Sequence, residues 1–261
     1  MSPPSPFQPG LKVGTGMGMI HDGWDLYFQY TWLRQLETSK SATANLPSFS
    51  TQAFPFLNPS QPETLSVMLL SFAKLSRKFE FNVLDSDIGR NFFISKRLTL
   101  RPFFGFKLAS MFEKTKIFYE GLGSVRNSAS QASQNLNGIG IRGGINTVWY
   151  IVRTLGFYGD LALTTLWSDF HNRWNNSVSA DALSHSYQIK NTTLDVIPVL
   201  EAGLGATYMV WFAKERYLLT LKAGWEEQVW LNYNQNLPCS ASNVSGSLTL
   251  QGLTVKIGFA F

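Results

Sequence analysis

The feature that most constrains this chain of 261 residues is alternation sustained for about twelve residues or more at a time. Successive side chains of an extended strand point to opposite faces. Trp24, Leu26, Phe28, Tyr30 and Trp32 therefore share one face, opposite Asp25, Tyr27, Gln29 and Thr31. The same pattern sets Leu98, Leu100, Phe104, Phe106 and Leu108 against Arg101 and Lys107, and Leu253, Val255, Ile257, Phe259 and Phe261 against Lys256. Such runs are about twice as long as the usual globular strand. Nine are recognised, over 11–20, 22–36, 74–93, 98–119, 138–151, 155–170, 189–212, 216–233 and 247–261.

The connections alternate in size. Short turns fall at "IHDGW" (20–24), "ISKRL" (94–98), "VRTLG" (152–156) and "AKERY" (213–217). Stretches rich in Ser, Asn and Gln fall near 37–65, 121–137, 171–188 and 234–247 and are read as long loops. Strand, short turn, strand, long loop is an up-and-down meander with all long loops at one end, as in transmembrane β-barrels. The expected organisation is a polar, Pro-rich segment 1–10 followed by one barrel domain, 11–261.

Alternation alone does not say which face is buried, since a lipocalin-like barrel turns its apolar face inward and an outer-membrane barrel turns it outward. Strand length, Trp placement near strand ends and a small, charged polar face favour the membrane. Only 15% of residues are charged and 14% are aromatic, against about 25% charged in soluble domains. Trp24, Trp32, Trp149, Trp167, Trp211 and Trp230 lie near strand ends, where interfacial girdles form. The longest apolar block, "VMLLSFA" (67–73), is far short of the roughly 18–20 residues of a membrane helix. The net charge of +5 is dispersed, which argues against nucleic acid as a partner. Cys239 excludes an internal disulfide framework and stands as a free thiol or an intermolecular link.

The blocks "HDGWDLYFQYTW", "NVLDSDIGR" and "LTLRPFFG", with "NGIGIRGGINTVWYI", "GFYGDLALTTLW" and the closing "LTVKIGFAF", resemble the pore-forming, chlamydial-type MOMP-like outer-membrane proteins over nearly the whole chain. The resemblance implies an outer-membrane barrel with a pore role and no transferable catalytic or ligand motif. It implies the bacterial outer membrane as location, outer-membrane lipids and the barrel-assembly machinery as partners, and Phe261 as the terminal aromatic that the machinery recognises. Bacterial single-chain barrels have even strand numbers, so nine visible strands imply a tenth before residue 1. The N-terminus "MSPPSPFQPG" lacks the basic and apolar parts of a secretory signal, and N-terminal truncation is the expectation. The alternative is a nine-stranded or imperfectly closed barrel with an exposed edge at 11–20.

The polar face nominates Asp25, Asp85, Asp87, Arg101, Lys107, Arg142, Asp160, Asp195, Glu201, Lys222, Glu226 and Lys256 as lumen-lining residues. They are either an electrostatic lining for small solutes or ions, or an ion-paired plug in a non-conducting surface protein serving adhesion or envelope integrity. About ten strands make a narrow interior, whereas open channels belong to barrels of about 16. An enzyme is not expected, nor a cofactor or metal: no GxSxG, HExxH or phosphate-loop pattern occurs. His171 and His185, near Asp169 and Asp181, are the residues an enzymatic alternative would use. Bulges are expected where the apolar phase switches, within 79–94 and near Gln251–Gly252, and bulges or locally irregular pairing at Pro102 and Pro198. Oligomeric state is not legible from the residues.

Overall fold

The computed structural model describes residues 7–19, 23–49, 69–122, 125–180, 184–213, 216–234 and 246–261. They form one antiparallel sheet: β1 (Gly10–Gly18), β2 (Trp24–Phe49), β3 (Leu69–Arg90), β4 (Phe92–Phe93), β5 (Leu98–Leu122), β6 (Val125–Tyr150), β7 (Leu155–Ala180), β8 (Ser184–Phe212), β9 (Tyr217–Asn234) and β10 (Gly246–Ala260). Each long strand pairs with the next along the chain, and β4 is a short addition to the start of β5. The architecture is the all-β, up-and-down meander that the alternation predicts, curled into a half-barrel.

β1 and β10 are the free edges. Both run from the long-strand end toward the short-turn end, and among the described residues no ladder joins them. Side chains nevertheless span the seam, because Lys12 of β1 and Lys256 of β10 both contact Glu226 of β9.

Outward-facing residues form an apolar belt, running from Trp24 to Trp32 on β2 and from Leu155 to Trp167 on β7. About twelve residues tilted by about 40° rise roughly 30 Å, the thickness of a bilayer's hydrocarbon core. Trp24, Trp149 and Trp211 sit on the belt near the short turns, and Trp32 and Trp167 near its opposite rim. Trp230 does not join this girdle; it is fully buried on the inner face.

Two expectations are corrected. The segments 121–137 and 171–188 are strand rather than loop, apart from 123–124 and 181–183, which lie outside the described residues: the β5–β6 ladder continues to Glu120↔Asn127 and the β7–β8 ladder to Ser179↔Ser184. Their Ser and Asn side chains fit a solvated extension of the sheet, in which β6 and β7 stay paired with each other and with β5 and β8, so the backbone bonds are made by the ladders whatever the side chains. The segment 37–65 is strand as far as Phe49, while 50–68 and 235–245, with Cys239, lie outside the described residues.

The bulges expected from the phase switches are absent: pairing is unbroken over Phe79–Gly89 on β3 and over Leu248–Ala260 on β10. At the prolines pairing is irregular on one side, as expected: Pro102 pairs with Ile145 and Pro198 with Thr165, but the β3–β5 ladder stops at Gly89↔Phe103 and the β8–β9 ladder at Val199↔Trp230. Register shifts lie higher, at Gln35/Thr38, Thr43/Ser48, Leu70/Phe72, Val125/Asn127 and Gly246/Leu248. The apolar phase switches because the interior changes character along the barrel, not because the strand kinks. Phe79, Phe81, Val83, Leu248 and Leu250 face inward onto an apolar cluster.

One close approach relies on missing Cβ atoms. The Tyr158 ring lies over Gly205 and Gly224, where a Cβ on Gly205 would come within 2.7 Å of Tyr158 Cε1 and one on Gly224 would meet its hydroxyl. Gly224→Val should displace the buried Tyr158 ring and cost about 1–3 kcal/mol of stability. A urea midpoint unchanged from wild type in folded, lipid-reconstituted protein would refute this packing.

Candidate functional site in the lumen

The inner face is divided into tiers, repeated in the same order on four strands. Counting away from the short turns, β3 presents Asp87 and Asp85, then Val83, Phe81 and Phe79. β5 presents Lys107, then Ala109 and Met111; β6 presents Arg142, then Leu136; β8 presents Glu201, then Val199 and Ile197. Alternation puts these residues on one face, and the ladder registers bring charge beside charge: Asp85 pairs with Lys107 and Asp87 lies opposite Gly105, itself opposite Arg142.

The charged tier is a closed network across the interior. Lys107 Nζ lies 2.6 Å from Asp85 Oδ1 and 2.6 Å from Glu201 Oε1. Arg142 donates to Asp87, and through Nη2 to Glu201 Oε2 at 2.8 Å. Its guanidinium lies 4.8 Å from the Phe103 ring centroid. Lys107 has no solvent exposure at all, so its charge depends wholly on these carboxylates. Three acids against two bases leave the tier with a formal charge of −1.

Beyond it, on the long-strand side, apolar residues close the interior. Phe81 of β3 meets Trp230 of β9 edge to face, with centroids 5.7 Å apart. Leu136, Leu166, Phe170, Ile197 and Val199 are each 0% exposed. Gln134 Nε2 donates to the Tyr233 carbonyl at 2.9 Å, tying β6 to β9. Opposite walls thus touch, and this septum was not anticipated from the sequence. The signal for it was present as adjacent apolar residues in both phases of a strand, as in Leu166–Trp167, Val196–Ile197 and Val229–Trp230.

On the short-turn side of the charged tier a cavity of about 480 Å³ remains. Arg101 binds Asp25 and donates through Nη1 to Asn146 Oδ1 at 2.9 Å; Asn146 Nδ2 in turn donates to Asp160 Oδ1 at 2.8 Å. Glu226 holds Lys256 at 2.6 Å and Lys12. Lys222 lies 5.2 Å from the Tyr158 ring centroid. Eleven of the twelve nominated residues thus belong to the charged tier or this cavity. Asp195 does not. It shares a face with Ile197 on the far side of the septum, where it accepts hydrogen bonds from the Val196 amide at 2.7 Å and Asn232 Nδ2 at 3.0 Å.

A second cavity of about 720 Å³ lies at the long-strand end, lined by residues including Lys116, Ser130, Asn176 and Tyr187. Lys116 donates to Glu37 at 2.8 Å and holds that carboxyl below the usual carboxylate range. His171 Nδ1 lies 3.6 Å from Asp169 Oδ2, with both side chains exposed. The His185 side chain and Asp181 lie outside the described residues.

A lipid-height apolar belt around a charged, narrow interior is an outer-membrane design. The family described as Legionella pneumophila major outer membrane protein precursor matches residues 4–261. The chain belongs to this family. It is a protein of the bacterial outer membrane, and its family is one of outer-membrane proteins rather than of enzymes. No curated protein and no solved structure matches it. In an outer-membrane barrel the short turns face the periplasm and the longer connections face outside. The 480 Å³ cavity is accordingly the periplasmic vestibule, and the 720 Å³ cavity is external.

Proposed function

We propose that this outer-membrane protein is porin-like, allowing passive diffusion of small solutes or ions through a narrow lumen. The observation that carries the reading is the charged cavity of about 480 Å³ at the short-turn end, which reaches the charged tier beneath the septum. Charged side chains fixed by mutual ion pairs would screen a passing solute by charge as well as by size. A barrel of this strand number has room for little more than water and small ions.

The septum favours a second reading, in which the lumen is a structural plug and the function lies in the external strand extensions. Planar-bilayer recording separates the two. A small-solute channel gives discrete conductance steps from purified, heat-modifiable barrel. Silence from protein of proven fold would defeat the porin reading and leave the plugged surface protein.

A further inference from the structure

Two periplasmic turns, and the described flanks of a third, repeat one pattern: exposed apolar side chains at the belt edge, then a cation at or just beyond the turn. In the first, Phe93 and Ile94 are 80% and 60% exposed, and Lys96 and Arg97 follow. In the second, exposed Ile151 and Val152 precede Arg153. In the third, exposed Trp211 and Phe212 precede Arg216.

The turns are also held in shape. Ser95 Oγ accepts from the Arg97 and Leu98 amides at 3.2 and 3.1 Å, and the Ile151 amide donates to the Leu155 carbonyl at 2.9 Å. Phe212, Tyr217 and Phe259 stack together beside the third turn, with centroids 5.6–6.0 Å apart.

On the external side Arg34 and Lys78 pair with Glu80, Arg77 with Glu113 and Lys116 with Glu37, while Lys40, Lys74, Lys114, Arg173 and Lys190 have no carboxylate pair among the described residues. At the periplasmic end Lys96, Arg97, Arg153 and Arg216 have no carboxylate partner among the described residues. Aromatic and aliphatic groups seat at the acyl boundary, and Lys and Arg beside them reach the phosphate level.

We propose that this periplasmic rim is a binding surface for anionic phospholipid of the membrane's inner leaflet, with Lys96, Arg97, Arg153 and Arg216 taking the headgroup phosphates and Phe93, Ile94, Val152, Trp211 and Phe212 seated among the upper acyl carbons. A soluble anionic polymer would satisfy the cations but not the apolar residues beside each of them. Lipid phosphate satisfies both.

The test is lipid retention. Wild-type barrel is reconstituted into nanodiscs of equal phosphatidylglycerol and phosphatidylcholine, extracted gently, and its bound lipids counted by native mass spectrometry. A preference for phosphatidylglycerol of about fivefold per engaged cation is expected. It should fall as salt is raised from about 0.1 to 0.5 M and disappear in the quadruple variant Lys96→Gln, Arg97→Gln, Arg153→Gln, Arg216→Gln. Lys116→Gln, on the external side, should leave it intact.

Equal retention of the two lipids by wild type, or a preference that survives the quadruple variant, overturns the proposal. So does tighter, rim-dependent binding of soluble peptidoglycan fragments without lipid preference, which would make the partner a polymer.

Discussion

Lys107→Met should destabilise the barrel by about 3–5 kcal/mol, because it leaves carboxylates buried without their cation. Lys107 Nζ sits 2.6 Å from both Asp85 and Glu201, with no exposed surface of its own. Asp85 would retain only Arg142 Nε, at 3.8 Å, while Glu201 keeps Arg142 Nη2 at 2.8 Å. The heavier loss therefore falls on Asp85. Lys107→Met combined with Asp85→Asn should recover a large part of the stability, since a neutral amide is cheaper to bury than an unpaired charge. Urea unfolding of reconstituted protein measures both. If the double variant were as unstable as the single one, Lys107 would matter for its packing beneath Trp230, whose ring centroid lies 6.0 Å from Nζ, and not for its charge.

The fold was legible because a membrane barrel writes itself on one face. The lipid-facing phase must stay apolar over the whole belt, so Trp24 to Trp32 and Leu253 to Phe261 could be read residue by residue. The charged tier was legible for the converse reason: Asp85, Asp87, Lys107 and Arg142 lie in the opposite phase, which can hold charge only if it faces a lumen. The septum was harder, because an inward apolar residue and a strand that has slipped by one give the same local pattern. Phe79, Phe81 and Val83 followed by outward Leu84 and Ile88 imitate a bulge until the partner strand shows an unbroken register. Ladder extent was illegible for a different reason. Beyond the bilayer neither face of β6 or β7 has a fixed polarity, so Ser128, Ser130, Asn172 and Asn175 read as loop although every neighbour is paired.

On the proposed porin reading the septum is the main barrier, and Phe81→Ala combined with Trp230→Ala should raise single-channel conductance about tenfold, equivalent to removing about 1.4 kcal/mol of barrier. The two rings meet edge to face from opposite walls, so truncating both opens a path where the interior is now closed by contact. An apolar constriction excludes ions by excluding water, and widening it enough to wet removes the main part of that barrier. The ion pairs of the charged tier are kept in this variant, since they involve neither residue, although Lys107 loses its contact with the Trp230 ring. Reversal potentials in a salt gradient should then show mild cation preference, following the tier's formal charge of −1. Truncating Trp149 and Phe157, an aromatic pair on the lipid face with centroids 6.5 Å apart, gives the matched loss of ring volume without touching the lumen, and its conductance should equal wild type. If the septum variant folds and still conducts no better than that control, the apolar tier is not the barrier. The resistance would then lie in the Lys107–Glu201–Arg142 network, where Arg142→Gln would be the next substitution to record.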